Sequence, residues 1–420
     1  MRKALFCFLC FAKLWALKST DPVVLSNSEH PASHVQVGVN AKGEAVAVWI
    51  AEYGQEYAAE AAVKSARIPW TLGTKISAIE ADIKAAHCVI DAFGNMSASW
   101  LYDSGDAENI FQVAERTSSE KWSSPLDIAK EDKYTVLDQA VFTPQGTLAV
   151  IGYKQFGDKP KKIVAGIKTP GGKPEYTHLA SAKACCGGFR HWHLAVSAHG
   201  SILALWERET KEGHFILEYA WKRGRQSWTT PESIPTLLNL DYDVLEILID
   251  AQESINLVWQ AQGKVYAACT CHGVWSQPVE ITEADEKGSK IKAAVDEQGN
   301  ALIVWESKRN DKINYRAVFK PAGDAWSPRM ELCQTTDLWQ DVQITTDHVG
   351  HFCLTWQESK RIYGSLFSTK SLRWSTLTRL TPVDRMSKNY SVCFSAGGKG
   401  IMAWEDEASR QVMASELIVE

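Results

Sequence analysis

Apolar and polar positions alternate along most of this chain in runs of five to nine residues, and residues 291–328 show the pattern most plainly. An apolar run (291–295) leads into Asp296-Glu297-Gln298-Gly299-Asn300, a second run ends at Trp305, a third centres on 315–319, and Trp326-Ser327-Pro328 follows. A period of two buries one face of each run, as in a β-strand. Gly supplies the positive φ of a tight hairpin, and a neighbouring Asp or Asn caps the turn with its side chain. The stretch therefore predicts antiparallel strands folded back on one another.

The turn and its following strand recur along the whole chain, with nine positions from the first turn residue to a Trp or its replacement. The copies are Asn40 to Trp49, Asp91 to Trp100, Thr143 to Gly152, Ser197 to Trp206, Asp250 to Trp259, Asp296 to Trp305, Asp347 to Trp356 and Ser395 to Trp404. A repeat near fifty residues with four apparent strands per unit predicts a β-propeller. The eighth copy stops after its third strand (412–419), whereas Asp21-Pro22-Val23-Val24-Leu25 matches fourth strands elsewhere, such as Gln277-Pro278-Val279-Glu280-Ile281. The expectation is an all-β, eight-bladed β-propeller of four-stranded blades, its ring closed by the N-terminal strand so that no edge is left unpaired. Seven blades with an accessory unit is the alternative.

These Asp-x-x-Gly-Asn-Ala…Trp units resemble the repeats of secreted bacterial β-propeller proteins and, more distantly, sialidase- and lectin-like propellers. The resemblance covers nearly all of the chain after its N-terminus and implies the fold. Propellers host lectins, hydrolases, lyases and scaffolds alike, so a function must come from a site. The Asp-box pattern Ser-x-Asp-x-Gly-x-x-Trp is not matched, because the Gly-to-Trp interval is longer, as from Gly299 to Trp305.

Composition narrows this little. The chain has 420 residues, with 50 acidic against 45 basic side chains, a balance that argues against a broad nucleic-acid surface. Met1-Arg2-Lys3 followed by a short apolar run reads as a secretory signal, with Cys10-x-Ala12 and Leu14-x-Ala16 as small-residue cleavage options. The expected organisation is a signal peptide over 1–19 and one propeller domain over 20–420, exported to periplasm, cell envelope or medium, monomeric and without a transmembrane segment. Eight cysteines remain after the signal, several inside predicted strands where Cys serves as a small buried hydrophobe.

Most residues with chemical potential carry a packing explanation. The repeated Trp residues fill wedges between blades, and the Asp turns offer too few oxygens for calcium. Four positions before each turn sit Gln36, His87, Gln139, His193, Glu246, Lys292, Gln343 and Ser391, which predict a polar ring at the central channel. Departures from the repeat are more informative. Long second-to-third-strand loops are expected over 102–109, 154–162 and 207–214, and long connections to the next unit over 178–190 and 233–243, all on one face of copies two to five. In this sector lies Cys185-Cys186-Gly187-Gly188-Phe189-Arg190-His191-Trp192-His193, where alternation would aim both imidazoles at the channel mouth, and six lysines from Lys154 to Lys173 make the third copy basic. The candidate ligand-binding set is His191, Trp192, His193, Glu207, His214, Asp241, Asp243, Glu246, Lys161 and Lys162. No nucleophile–base or acid–base constellation is recognisable, and no catalytic residue, metal or cofactor is assigned. The expected function is a non-enzymatic binding or scaffold propeller with a protein or glycan partner; the alternative is a glycoside-active enzyme, sialidase-like or lyase-like, at the channel mouth.

Overall fold

The computed structural model describes residues 16–419 other than 66–67, 81, 104–108, 118–120, 129–134, 157–159, 183–187, 239–241, 272, 310–311 and 336–337. Its strands form eight antiparallel sheets arranged as an eight-bladed β-propeller. The innermost strand of each blade, strand A, is Ala32–Val39, Ile83–Ile90, Thr135–Phe142, Phe189–Val196, Val244–Ile249, Lys287–Val295, Gln340–Thr346 and Ser387–Phe394 in blades 1 to 8. Each strand A packs against those of both neighbours, which closes the ring around a channel. Strand B follows the turn, as in Ala45–Tyr53, Ile202–Glu209 and Ala301–Arg309 of blades 1, 4 and 6.

The eight turns are tight because their first side chain ties down the backbone. In blade 6, Asp296 Oδ1 accepts hydrogen bonds from Gln298 N (3.0 Å) and Asn300 N (2.8 Å), and Oδ2 accepts one from Asn300 Nδ2 (2.7 Å). Asp91, Asp250 and Asp347 cap their turns in the same way. The fourth turn position needs φ near +80°, which Gly299 adopts at 87° and which Glu253 alone adopts without being glycine, at 61°. Carboxylates engaged in this way cap hairpins.

The ring has a separate apolar cluster at every seam between blades. Strand-B Trp residues occupy seven of these wedges, and Trp49, Trp100, Trp206, Trp305, Trp356 and Trp404 are fully buried. Several also satisfy their indole N–H internally, Trp49 on Glu60 (3.1 Å) and Trp305 on Glu286 (2.7 Å). The exception is the seam between blades 2 and 3, where Gly152 replaces Trp. A Cβ there would lie 1.9 Å from the carbonyl oxygen of Val136 in strand A, so the backbones approach too closely for any side chain. This exception lies within an eighth full blade, and the seven-blade alternative is excluded.

Closure follows the expectation. The third strand of blade 8, Val412–Val419, takes Val23–Val24 as its outer partner, with Val23 opposite Ala414 and Val24 opposite Met413. A further strand, Leu17–Ser19, pairs with the same edge from Leu17 opposite Val419 to Ser19 opposite Leu417. Leu17 and Leu25 are wholly buried. The packed chain thus includes residues 17–19, ahead of the boundary read at residue 20; residues 1–15 of the proposed signal lie outside the described residues.

Loop lengths correct part of the sequence reading. Connections between the second and third strands are seven residues in blade 3 (155–161), five in blades 2, 4 and 8 (104–108, 210–214 and 407–411) and two elsewhere. Blades 2 to 4 are elaborated as expected, and blade 8 joins them. The connections leading into strand A of blades 4 and 5 (182–188 and 239–243) are no longer than that into blade 2 (76–82). Turn-rich composition there concealed strand residues: the fourth strand of blade 4 runs Glu232–Leu238 and absorbs Ser233, and Glu207 belongs to strand B rather than to a loop.

Candidate functional site

The polar ring four positions before each turn is present, and much of it laces neighbouring blades together. Inner strands of adjacent blades diverge and share no ladder, so backbone groups facing a seam need side-chain partners. Gln139 Oε1 accepts from Leu194 N (3.3 Å), and Gln343 both donates to Tyr390 O (2.8 Å) and accepts from Val392 N (3.2 Å). Ser391 Oγ accepts from Val37 N (3.3 Å), and Lys292 Nζ donates to Glu246 Oε1 (2.7 Å). Burial holds His87 below its ordinary value. Glu246, placed in the candidate set as a ligand group, is a seam contact.

Toward the mouth, strand A carries a β-bulge in seven blades, and blade 5 pairs without one. His34, Ala85, His191, Lys290 and Asp341 occupy the bulges with φ between 42° and 55°. A bulge bends the strand and re-aims a side chain. It interrupts the alternation expected between His191 and His193, yet both rings face Tyr242, with centroids 5.3 Å and 6.5 Å away.

The residue after the strand-B Trp reaches back to this bulge. Glu207 is 1% exposed and accepts a hydrogen bond from Arg190 Nε, with His191 Nδ1 3.4 Å from its other oxygen. Burial first, then the charge of nearby Glu207 and hydrogen bonding with it, push the Tyr242 phenol well above its usual range. Equivalent positions repeat the device. Glu306 accepts from Ser289 Oγ (3.2 Å) and Tyr315 OH (3.1 Å) and pairs with Lys290 (2.9 Å), while Glu405 accepts from Asn389 Nδ2 (3.0 Å). A role repeated in three blades belongs to the architecture, so Glu207 positions the mouth of blade 4 and is not a free acid.

This sector also carries a cluster of rings. Trp192 lies 5.4 Å from Tyr153 of blade 3, Lys161 Nζ sits 4.7 Å above the Tyr153 ring, and the Arg190 guanidinium stacks 3.7 Å from Phe215. His191 keeps half of its side chain exposed. His193, 3.4 Å from the Tyr242 hydroxyl, is pulled down to about 4, mainly by burial and secondly by the charge of His191.

The structure therefore unites His191, His193 and Glu207, with Trp192 and Lys161 beside them. It separates Glu246 (on Lys292), Asp243 (bonded to Gln260 Nε2 at 3.1 Å) and His214, exposed at the end of the connection in blade 4. Lys162 pairs as a strand residue with Lys154 and Ser181. Asp241, Cys185 and Cys186 lie outside the described residues, as do the side chains of Cys271 and Cys333. Arg190, Tyr242, Tyr153 and Phe215 were missed; the aromatic character of positions flanking strands A and B of blades 3 and 4 was the available signal. Cys88, Cys269, Cys353 and Cys393 are free thiols, and no metal-binding cluster occurs among the described residues.

No protein-family model and no curated protein matches the chain. Among solved structures, polysaccharide lyase Uly1 is 9% identical with a TM-score of 0.48, over 77% of this chain and 88% of that one. Prolyl oligopeptidase B from Galerina marginata is 13% identical with a TM-score of 0.51, over 94% of this chain and 56% of that one. The sialidase Hz136, from a Hadza microbial source, is 13% identical with a TM-score of 0.37, over 66% and 63%. This chain thus spans little more than half the length of the oligopeptidase. At these identities the likeness is one of propeller fold.

Proposed function

We propose that the protein is a non-enzymatic propeller whose channel mouth at blades 3 and 4 binds a glycan. The observation that carries this is the division of labour at the mouth. The carboxylate there, Glu207, is buried and engaged by surrounding donors, while the rings of Tyr153, Trp192, His191 and Tyr242 cluster beside it. Flat rings with polar edges suit the alternating apolar and hydroxyl surfaces of a sugar, and Lys161 adds attraction for an acidic one. An exported protein is part of this proposal, supported by the charged and apolar pattern of residues 1–12.

Calorimetric titration against neutral and acidic oligosaccharides tests it. Saturable binding that Trp192→Ala and Tyr153→Ala weaken, with the fold intact, supports the reading. Absence of saturable binding across the panel, or binding indifferent to both substitutions, overturns it.

One observation favours the enzymatic reading. His193, which burial holds neutral to about pH 4, adjoins a tyrosine hydroxyl 3.4 Å away, a base beside an acid. Turnover of any polysaccharide, lost in His193→Gln and Tyr242→Phe, would replace the binding role with a glycoside-active one.

A further inference from the structure

The opposite face, where the turns between strands A and B lie, holds a cavity of about 610 Å³ walled by all eight inner strands. Its size falls within the roughly 300–1,000 Å³ of small-molecule sites. The walls come from the final one to three residues of each strand A, deeper along the chain than the polar ring, and are mostly apolar: Val89, Ile247 and Ile344 are representative, with Thr345, Thr346 and Asp296 interspersed. Cys88 and Cys393 contribute thiols that burial keeps protonated.

The rim is set by one repeated position, the residue after each turn's first. Ala198, Ala251 and Ala396 occupy it with Pro144, and their small side chains keep the mouth open. The remaining rim contacts at that position are charged or ionisable: Glu297 and His348, paired at 3.1 Å and partly exposed. Two further apolar residues, Phe93 and Val349, stand exposed at turn tips on the same face. A cup mostly apolar in its walls, with its ionisable groups gathered at one part of the rim, suits a ligand that is apolar at one end and polar at the other.

We propose that this cup is a binding site for a small amphiphile, an apolar chain or ring buried among the inner strands with a single hydrogen-bonding head group at Glu297 and His348. The site is independent of the aromatic mouth on the other face. Gly38 belongs to the wall, and an added Cβ there has the backbone of Ile90 and Val89 as its nearest neighbours, at 3.5 Å, an ordinary contact distance.

The test is fluorescence titration of the full protein with the apolar dye N-phenyl-1-naphthylamine, followed by displacement with decanol. Saturable dye binding, reversed by decanol, is expected. Gly38→Phe crowds the wall beside Val89 and Ile90 and should weaken dye binding by about tenfold or more. Ala251→Trp, which narrows the mouth from a turn, should do the same and serves where Gly38→Phe fails to fold. Trp192→Ala should leave dye binding unchanged, which separates this site from the glycan-binding one. No saturable binding by the wild-type protein, or undiminished binding by the folded variants, overturns the proposal.

Discussion

Lys292 and Glu246 join blades 5 and 6 by a hydrogen-bonded ion pair, Nζ to Oε1 at 2.7 Å, where the seams between blades 3 and 4 and between blades 7 and 8 use Gln side chains on backbone groups. Both belong to the ring lining the channel, yet their charges are spent on each other. Because Lys292 remains 44% exposed, solvent screens the pair. Lys292→Met should therefore cost about 1 kcal/mol or less. A double-mutant cycle with Glu246→Gln, by urea denaturation at low and high salt, checks this: coupling that vanishes at high salt is expected, and zero coupling at low salt would remove the pair from the seam.

His193 should give the protein an acid-sensitive limb. Its folded value is pulled down to about 4 from 6.5, so between those values the unfolded chain takes up a proton that the folded one excludes. Its contribution is fully present above about pH 6.5 and is lost as pH falls through about 4, amounting to about 3 kcal/mol at the limit. Melting temperatures across this range should fall less steeply for His193→Gln than for wild type. Parallel curves would show that the ring protonates freely in the folded state.

Gly152→Ala should be among the most damaging small changes. Its Cβ would penetrate the Val136 carbonyl at 1.9 Å, and strand A could yield only by losing its ladder in blade 3. A loss of about 3 kcal/mol is expected. Gly38→Ala, whose Cβ meets ordinary contacts, should change stability by about 0.5 kcal/mol or less. Chemical denaturation of both variants makes the comparison, and equal effects would contradict the close approach of strands A and B.

Closure of blade 8 rests on two leucines at the start of the described chain. Leu25→Ala and Leu17→Ala each empty a fully buried position and should each cost about 3 kcal/mol. Deletion through Ser26 should expose the edge of Val412–Val419 and produce oligomers by size-exclusion chromatography. A monomeric deletion variant that melts like wild type would show that the terminal blade does not need its outer strands.

The sequence by itself determined the blades, their number and the joining of the ends. These follow from local physics: a side chain capping its own turn, a period of two that buries one face, and a large flat residue at a fixed distance from the turn. Each signal lies within some ten residues, so repetition made it legible. Tertiary structure decided which polar groups remain available. Glu246 and Lys292, 46 positions apart, neutralise one another, and Glu207 is enclosed by Arg190, His191 and Tyr242 from a different strand and a different connection. Bulges shift the register of strand A just where the candidate residues sit, so alternation could not foretell their partners. The mostly apolar cup was equally hidden, because its walls take only a few residues from each of eight strands spread over the whole chain, and the ring alone brings them together.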